Sequence, residues 1–492
     1  MATCLGVELT QDVRPPVTDP TMNLPVEVPE RRPDWAHRLV TVGDSLTHGF
    51  QHFAIFHTDR SWPAMIAELL GIDFAFPSYT GGPGGHPLNL EYAARKLNKN
   101  LLLSLAKVYG YMDQVKRFYT TAPGADFPDR HGRCNENLAV WGWDLRDTLM
   151  RTADTEEVLI GHPGGLLPMV NGSGHRAAVS VLNMARKPSG AALTPLEAAR
   201  QLGDQPGGIE TLCVWLGANN VLGSVVQLKA VLSGSGFQDL QQKANYTVWT
   251  VPDFRTELAL VADEVRMINA DHVLWGTVPH VTIPPISRGL RGPLPDCPRY
   301  FTYYGRVWDT DDAFDPTVEP HLTGPQAWAI DMIIDGYNTA IEELVQQARH
   351  DGLDWRLVDM CAVLDRLAYR RNVELDARPA QFPAYPLPPA LAGLDTRYLT
   401  TDKTGKILTG GLIGLDGVHP TTAGYSLVAH EFIQVMTGAG VDFPNGTDLD
   451  FAAIRNADTL LANPPPRLGS ALDLIHRLNH DIDLVKRLNP FH

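Results

Sequence analysis

Short apolar runs alternate with longer helical patterns along this chain, and that alternation constrains its fold more than any other feature. The runs cover residues 38–42, 211–216, 272–277 and 355–358, with a weaker one at 72–76. Amphipathic patterns typical of helices follow at 62–70, 254–269, 330–349 and 423–436. Such an alternation is typical of βαβ units around a parallel sheet. We therefore predict an α/β fold with a parallel sheet of about five strands.

The remaining sequence is interpreted as extensions and insertions of one α/β domain. The proline-rich residues 1–36 favour an extended arm, residues 37–440 form the domain, and residues 441–492 form a helical C-terminal extension. Four stretches exceed the usual length of βα loops and are predicted as large loop insertions. They lie near 81–134, 144–207, 285–325 and 375–412.

The C-terminal extension carries one apolar helical stripe. From Leu468 to Leu488, apolar residues recur at steps of three and four. Two uses of this stripe stay open: docking on its own domain, or a homo-oligomer contact or lid over a site.

Composition excludes several classes of protein. The chain has 492 residues, of which 44% are hydrophobic and 20% charged, as in a globular enzyme. Its net charge of -15 argues against a nucleic-acid partner. The five cysteines are far apart with no C-x-x-C pair, so we expect no disulfide framework and no structural zinc site. The sequence also has no phosphate-binding G-x-x-x-x-G-K-[ST] loop and no H-E-x-x-H motif, and we expect no metal and no other cofactor.

The sequence also bears on location. No apolar run approaches the ~18 residues of a membrane helix, so no integral membrane segment is expected. The first residues lack a basic start followed by an apolar stretch, which favours a cytoplasmic protein. A secreted protein whose leader had been removed would have the same pattern.

A serine follows the first apolar run, in the segment Gly43-Asp44-Ser45-Leu46. A serine at the carboxyl end of a parallel strand lies in the crevice where open α/β sheets bind ligands. At a helix N-terminus its oxygen also meets free backbone N–H groups, which favour developing negative charge. Ser45 is therefore a candidate nucleophile, and the alternative is a strand-to-helix turn capped by Asp44 or Ser45.

A candidate base lies near the other end of the chain, where Asp416 precedes His419 by three residues in a glycine-rich turn. A serine hydroxyl needs a histidine to take its proton and an acid to hold that histidine's tautomer. This spacing lets the Asp416 carboxylate meet one ring nitrogen while the other faces Ser45.

Two further loops could stabilise an oxyanion. The segment 137–142 ends in Gly142, whose backbone N–H can be approached closely, and 216–220 carries Asn219 after an apolar strand. The alternative for Asn219 is an ordinary turn with local hydrogen bonds. Trp141 and Trp143 either line an acyl pocket or belong to the core.

These four segments, in this order, resemble the conserved blocks of the SGNH (GDSL-type) hydrolases. The resemblance matches Ser45, Gly142, Asn219 and His419 to the four residues after which that family is named, with Asp416 three residues before the histidine. Further matches are the segment 276–279 and the pair 337–338.

The resemblance implies a three-layer α/β/α, flavodoxin-like fold and metal-independent ester hydrolysis through an acyl-serine. It assigns the oxyanion hole to the N–H groups of Ser45 and Gly142 and to the Asn219 amide. The substrate would be a small-molecule or lipid-like ester. One departure is Asn220, which stands where the family usually has aspartate.

The sequence leaves two alternatives open. The first is an acyltransferase or a carbohydrate or polyester deacylase that uses the same residues. The second is a binding module on the same fold that has lost activity, which Asn220 and the insertions would explain.

Overall fold

The computed structural model describes most of the chain. The described residues are 3–27, 34–79, 85–96, seven positions between 107 and 117, 133–160, 168–368, 383–466 and 468.

The strands and helices of these residues are numbered in chain order. The strands are β1 (Thr3–Cys4), β2 (Val7–Glu8), β3 (His37–Gly43), β4 (Ala54–Ile55), β5 (His86–Pro87), β6 (Ile209–Trp215), β7 (Ala270–Gly276), β8 (Ser287–Pro293), β9 (Phe301–Arg306), β10 (Leu322–Thr323), β11 (Trp355–Val358), β12 (Thr400–Thr401) and β13 (Ile407–Thr409). The helices are α1 (Ser45–His48), α2 (Trp62–Leu70), α3 (Leu90–Lys96), α4 (Leu145–Met150), α5 (Ala153–Glu157), α6 (Pro168–Leu182), α7 (Pro195–Gly203), α8 (Gly223–Gln227), α9 (Val251–Arg266), α10 (Gly324–His350), α11 (Met360–Leu367), α12 (Thr422–Gly438), α13 (Phe451–Ala457) and α14 (Thr459–Ala462).

The central sheet has four parallel strands in the order β3-β6-β7-β11. Gly43 at the end of β3 pairs with Trp215 at the end of β6, so these two strands finish at one level. Val214 in turn pairs with Trp275 of β7. The prediction of an α/β fold around a parallel sheet is therefore confirmed.

The predicted fifth strand at 72–76 is wrong. These residues follow the left-handed cap of α2 at Gly71 and form no strand, although the Ala75 carbonyl accepts bonds from the N–H groups of Glu136 and Asn137. The extended segment 136–140 instead runs beside β3. Thr41 N–H donates to the Glu136 carbonyl, and the N–H groups of residues 138 and 140 donate to the carbonyls of residues 41 and 43. The outer edge of β3 is thus covered by a later part of the chain.

Helices pack on both faces of the sheet because strand residues point alternately to either side. In β6, Leu212 and Val214 join the core beneath α9 and α10, whereas Cys213 and Trp215 join the core beneath α2 and α12. On the second face the ring of Trp62 stacks on Phe432, with 4.2 Å between ring centroids. The sheet is buried on both faces, as parallel sheets require.

The proline-rich arm lies along the far edge of the sheet. Leu357 N–H of β11 donates to the Pro20 carbonyl over 2.9 Å, and Arg14 bonds Asp359 and Glu342. Main-chain groups of the arm therefore satisfy part of the β11 edge, which would otherwise be open to pairing with another chain.

The predicted insertions contain secondary structure of their own where the structure describes them. The one near 285–325 holds the antiparallel sheet β8-β9-β10, and the one near 144–207 holds α4 to α7. Most of the insertion near 81–134, part of 375–412 and the stripe after Leu468 lie outside the described residues. None of the described helices combines the length and apolar character needed to cross a bilayer.

Candidate active site

Ser45 lies where β3 ends, at the first residue of α1. The Asp44 carboxylate caps this helix by accepting from Leu46 N–H over 3.0 Å. A Cβ on Gly43 would lie 2.3 Å from Thr47 Oγ1, so the tight turn from strand to helix needs a glycine there. The sequence alternative of a capped strand-to-helix turn is thus present, and it fixes Ser45 at the carboxyl edge of the sheet.

The structure brings Ser45 together with both residues predicted near the other end of the chain. Ser45 Oγ lies 2.8 Å from His419 Nε2, and His419 Nδ1 lies 3.1 Å from Asp416 Oδ2. Because an ionised carboxylate can only accept, the proton of the neutral imidazole lies on Nδ1 and leaves Nε2 free to accept from the serine hydroxyl. All three side chains are buried.

Asp416 is held by the backbone on both oxygens. Oδ1 accepts from the N–H groups of Val418 and His419, and Oδ2 accepts from Phe53 N–H over 2.8 Å. Burial alone would raise the pKa of Asp416, but the interaction with His419 and these hydrogen bonds outweigh it and lower the pKa to about 2. Asp416 is therefore a carboxylate throughout the neutral range.

The turn that supplies Phe53 N–H was not predicted. His52 and Phe53 have φ values of 55° and 62°, in the left-handed region that non-glycine residues rarely adopt. Both are held by the histidine loop, because His52 Nδ1 accepts from Leu415 N–H over 3.0 Å and Phe53 donates to Asp416. No residue type marks a backbone donor of this kind in a sequence.

A second histidine, also missed, supports the neighbouring loop. His48 Nδ1 accepts from Trp141 N–H over 3.3 Å, while Nε2 lies 2.6 Å from Tyr79 Oη. Burial lowers the pKa of His48 to about 3, so the ring is neutral and Nδ1 stays an acceptor. Its position three residues after Ser45 is the only sequence signal that could have identified it.

Gly142 follows the extended segment 136–140 that lies along β3. Val140 N–H donates to the Gly43 carbonyl over 3.1 Å, so Gly142 and Ser45 each lie two residues beyond this contact. Gly142 has φ of 78°, and no heavy atom lies within 4 Å of the position its Cβ would occupy. The Cβ side of Gly142 is therefore open, and its positive φ is one that favours glycine.

Asn219 lies just beyond β6, in a 3₁₀ turn at Ala218–Asn220. Its Nδ2 donates one hydrogen to the Trp143 carbonyl over 2.9 Å, which ties this loop to the Gly142 loop and leaves the second amide hydrogen free to bond elsewhere. The neighbouring Asn220 amide is buried and has no hydrogen-bond partner within the described part of the chain. The departure at this position therefore leaves an unsatisfied polar group, at a cost of about 1–3 kcal/mol.

The two further matches of the sequence, the segment 276–279 and the pair 337–338, are also in contact. Asn338 of α10 accepts from Val278 N–H over 2.7 Å and donates to the Val278 carbonyl over 2.9 Å. The Asn338 side chain thus gives the backbone of Val278, just beyond β7, the hydrogen bonds that a neighbouring strand would otherwise make. It fixes the loop that borders the Ser45 side of the site.

Two cavities flank these residues. A small one of about 60 Å³ contains Ser45 and His419, and its other walls are mainly apolar: Leu46, Leu222, Pro279, Ile283, Ile413 and Val418. A larger one of about 320 Å³ borders Gly142, Asn219, Trp141 and Trp143, together with the ion pairs of Lys243. Trp141 and Trp143 are thus both largely buried and part of a cavity wall.

The site therefore combines a serine, a histidine and a carboxylate in a hydrogen-bonded row with amide donors on the adjoining loops. Such a row can transfer the serine proton to the imidazole while the carboxylate stabilises the resulting charge. A scan against protein-family models and a search of curated proteins both found no match to this chain.

The buried His48 predicts a pH-dependent stability. Its folded pKa of about 3 lies below the unfolded value near 6.5, so the unfolded state alone takes up a proton as pH falls between these values. As pH decreases from about 6.5 to about 3, the free energy of unfolding should therefore decrease by an amount on the order of a few kcal/mol. The His48→Gln variant should lack this contribution to the decrease in unfolding free energy at low pH. Urea unfolding at a series of pH values would measure the difference.

The comparison with wild type isolates His48 from other groups. Burial raises the pKa of Asp44 to about 6, which has the opposite effect on stability between about pH 4 and 6, but it is present in both proteins. His57→Gln, at a partly exposed histidine, is the matched control. Identical pH profiles of wild type and His48→Gln would contradict the assignment of a neutral buried ring.

Proposed function

We propose that this protein is a serine esterase that cleaves carboxylic esters through an acyl-serine intermediate, with Ser45 as nucleophile. The observation that carries the proposal is the hydrogen-bonded row from Ser45 Oγ through His419 to Asp416. Buried histidines and carboxylates also occur in hydrogen-bond networks that only stabilise a fold. A serine at the head of such a row, at a strand end and beside a cavity, is the arrangement that acyl transfer needs.

Acylation follows from the positions of the protons. His419 Nε2 accepts the hydroxyl proton as Ser45 Oγ attacks the ester carbonyl carbon, and Asp416 stabilises the imidazolium. The carbonyl oxygen becomes an oxyanion, for which the donors are the N–H groups of Ser45 and Gly142 and the free hydrogen of the Asn219 amide. His419 then gives its proton to the leaving alcohol as the carbon–oxygen bond breaks.

Deacylation repeats these steps with water. His419 accepts a proton from the water that attacks the acyl-serine carbonyl, and the same donors stabilise the second oxyanion. The proton then returns to Ser45 Oγ as the acid leaves. Both half-reactions use the same base, which is why a single histidine suffices.

We further propose that the fold is the flavodoxin-like fold of the SGNH hydrolases. If the extended segment 136–140 counts as a strand, the spatial order of the sheet, numbered by chain order, is 2-1-3-4-5. That order is one of the common doubly wound arrangements, and its ligands bind where the strand order reverses. Ser45 and Gly142 follow strands 1 and 2 of this order, and Asn219 follows strand 3.

Removal of the nucleophile tests the proposal directly. Ser45→Ala should lower kcat/KM for p-nitrophenyl acetate by about 10⁴-fold or more, because water alone must then attack the ester. Ser235→Ala, at an exposed serine, is the matched control and should retain wild-type activity. Circular dichroism of the variants would show that each is folded.

Two results would contradict the esterase proposal. One is a folded Ser45→Ala variant with activity near that of wild type. The other is a wild-type protein that hydrolyses no ester above the buffer rate, which would favour the inactive binding module instead.

The cavities support a short acyl group. The walls around Ser45 and His419 are apolar but enclose only about 60 Å³, whereas the polar cavity beyond Gly142 and Asn219 is larger. An alkyl chain gains most from apolar walls, and a hydroxylated alcohol portion from polar ones. We therefore assign the acyl group to the small cavity and the alcohol portion to the large one.

This assignment predicts the dependence on chain length. Across p-nitrophenyl esters from acetate to decanoate, kcat/KM should be highest from acetyl to butyryl and then fall. Ile413→Ala, which removes a buried wall of the small cavity, should move the maximum to longer chains, whereas the exposed Leu408→Ala should not. A profile that rises to decanoate in wild type would refute the assignment while leaving the esterase chemistry intact.

A further inference from the structure

A second cluster of reactive side chains lies behind the small cavity. His280 follows β7, Asp335 belongs to α10, and Cys361 and Asp365 belong to α11. His280 Nδ1 lies 2.9 and 3.0 Å from the two Asp365 oxygens, and His280 Nε2 lies 3.2 Å from Asp335 Oδ1. A ring nitrogen of His280, Cys361 Sγ and an Asp335 oxygen all lie within 4.8 Å of one another. Three separate elements thus bring nitrogen, sulfur and oxygen donors to one point.

The cluster surrounds a space of atomic size. A cavity of about 10 Å³ borders His280, Asp335, Cys361 and Asp365, which is about the space that one water-sized sphere occupies. His280, Cys361 and Asp365 are buried, with at most 7% of each residue exposed, while Asp335 is partly exposed. An ion could therefore reach the donors from the Asp335 side and still be shielded from bulk water.

We propose that His280, Asp335 and Cys361 bind one divalent transition-metal ion of the zinc type. Imidazole nitrogen, thiolate and carboxylate are the donors that zinc prefers, whereas calcium and magnesium prefer oxygen alone. In this arrangement His280 Nε2 is the ligand, and its Nδ1–H donates to Asp365, as metal-bound histidines usually donate to a carboxylate. The fourth tetrahedral position remains for water.

Charge and proton balance agree with a divalent ion. On binding, the Cys361 thiol loses its proton, and the proton that Nε2 shares with Asp335 also leaves, so solvent takes up both. The two carboxylates and the thiolate then carry three negative charges. The metal supplies two positive charges and so offsets most of this negative charge, while Arg14, which borders the same cavity, is paired with Asp359 and Glu342.

The competing arrangement is a protonated His280 held between two carboxylates with no metal. That arrangement accounts for Asp335 and Asp365, and the Cys361 thiol then makes only a hydrogen bond to the same ring. A metal ion uses all four groups, and it departs from the sequence-based expectation because these ligands are widely spaced along the chain. A pattern such as C-x-x-C could not have identified them.

The ion would act on the fold and would not touch the reacting ester. His280 borders the small cavity that contains Ser45 and His419, so a metal at Nε2 would fix one wall of that cavity. The metal site does not depend on the esterase proposal, and its test does not use activity.

Cobalt substitution in the full-length chain tests the site. After removal of bound metal with a chelator, titration with Co²⁺ should give one ion per chain, visible bands of tetrahedral cobalt and a near-ultraviolet thiolate charge-transfer band, all displaced by Zn²⁺. Cys361→Ser should abolish the charge-transfer band and weaken Co²⁺ binding by about 100-fold or more. Cys213→Ser alters another buried cysteine, distant in sequence from Cys361, and should change neither the charge-transfer band nor the affinity for Co²⁺.

A second variant keeps the test decisive if Cys361→Ser fails to fold. Asp335→Asn alters a partly exposed side chain and should also weaken Co²⁺ binding, and Zn²⁺ should raise the Tm of wild type more than that of this variant. Absence of a thiolate band in wild type, or Co²⁺ binding that both variants leave unchanged, would overturn the proposal in favour of the ion-paired imidazolium.

Discussion

The carboxylate of Asp416 is the interaction on which the rest of the site depends. It accepts from Phe53 N–H, from two backbone groups of its own loop and from the His419 ring, so one side chain joins segments separated by 363 residues. Without it, His419 would lose both its orientation and the proton position that leaves Nε2 free. The left-handed turn at His52 and Phe53 would also lose the bond that stabilises it. The proposed catalysis therefore depends on how these two distant loops are held together.

The parallel sheet explains why the remaining groups can meet these loops. Each of Ser45, Gly142 and Asn219 lies a few residues beyond the end of a neighbouring extended segment, and parallel strands bring such ends to one edge. The Asn219 contact with the Trp143 carbonyl then locks two of the loops together. His48 adds a third constraint, because its neutral ring holds Trp141 N–H beside Gly142.

Much of this could be predicted from local sequence patterns. The strand at Trp355–Val358 and the helix at Trp62–Leu70 have the predicted bounds, since apolar periodicity and turn residues are local signals. The spacing of Asp416 and His419 likewise predicted their contact. These features depend on residues within one turn or one strand of each other.

Other parts of the structure depend on which of two distant segments lies beside a given strand. Local sequence patterns do not determine this. Residues 72–76 have an apolar sequence typical of a strand. Residues 136–140 lie beside β3 instead, because the Asn137 side chain also bonds Thr41 and the Thr47 carbonyl. The Phe53 donor and the His280 cluster were missed for a related reason. A backbone N–H has no residue type, and ligands from three elements have no fixed spacing.

Covalent labelling tests whether Ser45 is a nucleophile activated by His419. A fluorophosphonate probe reacts with a serine only when a nearby base activates it, and peptide mass spectrometry locates the modified residue. We expect Ser45 alone to be labelled in the folded protein and labelling to be lost in a folded His419→Ala variant. Labelling at another residue, no labelling of the native protein, or equal labelling of Ser45 with and without His419 would contradict it.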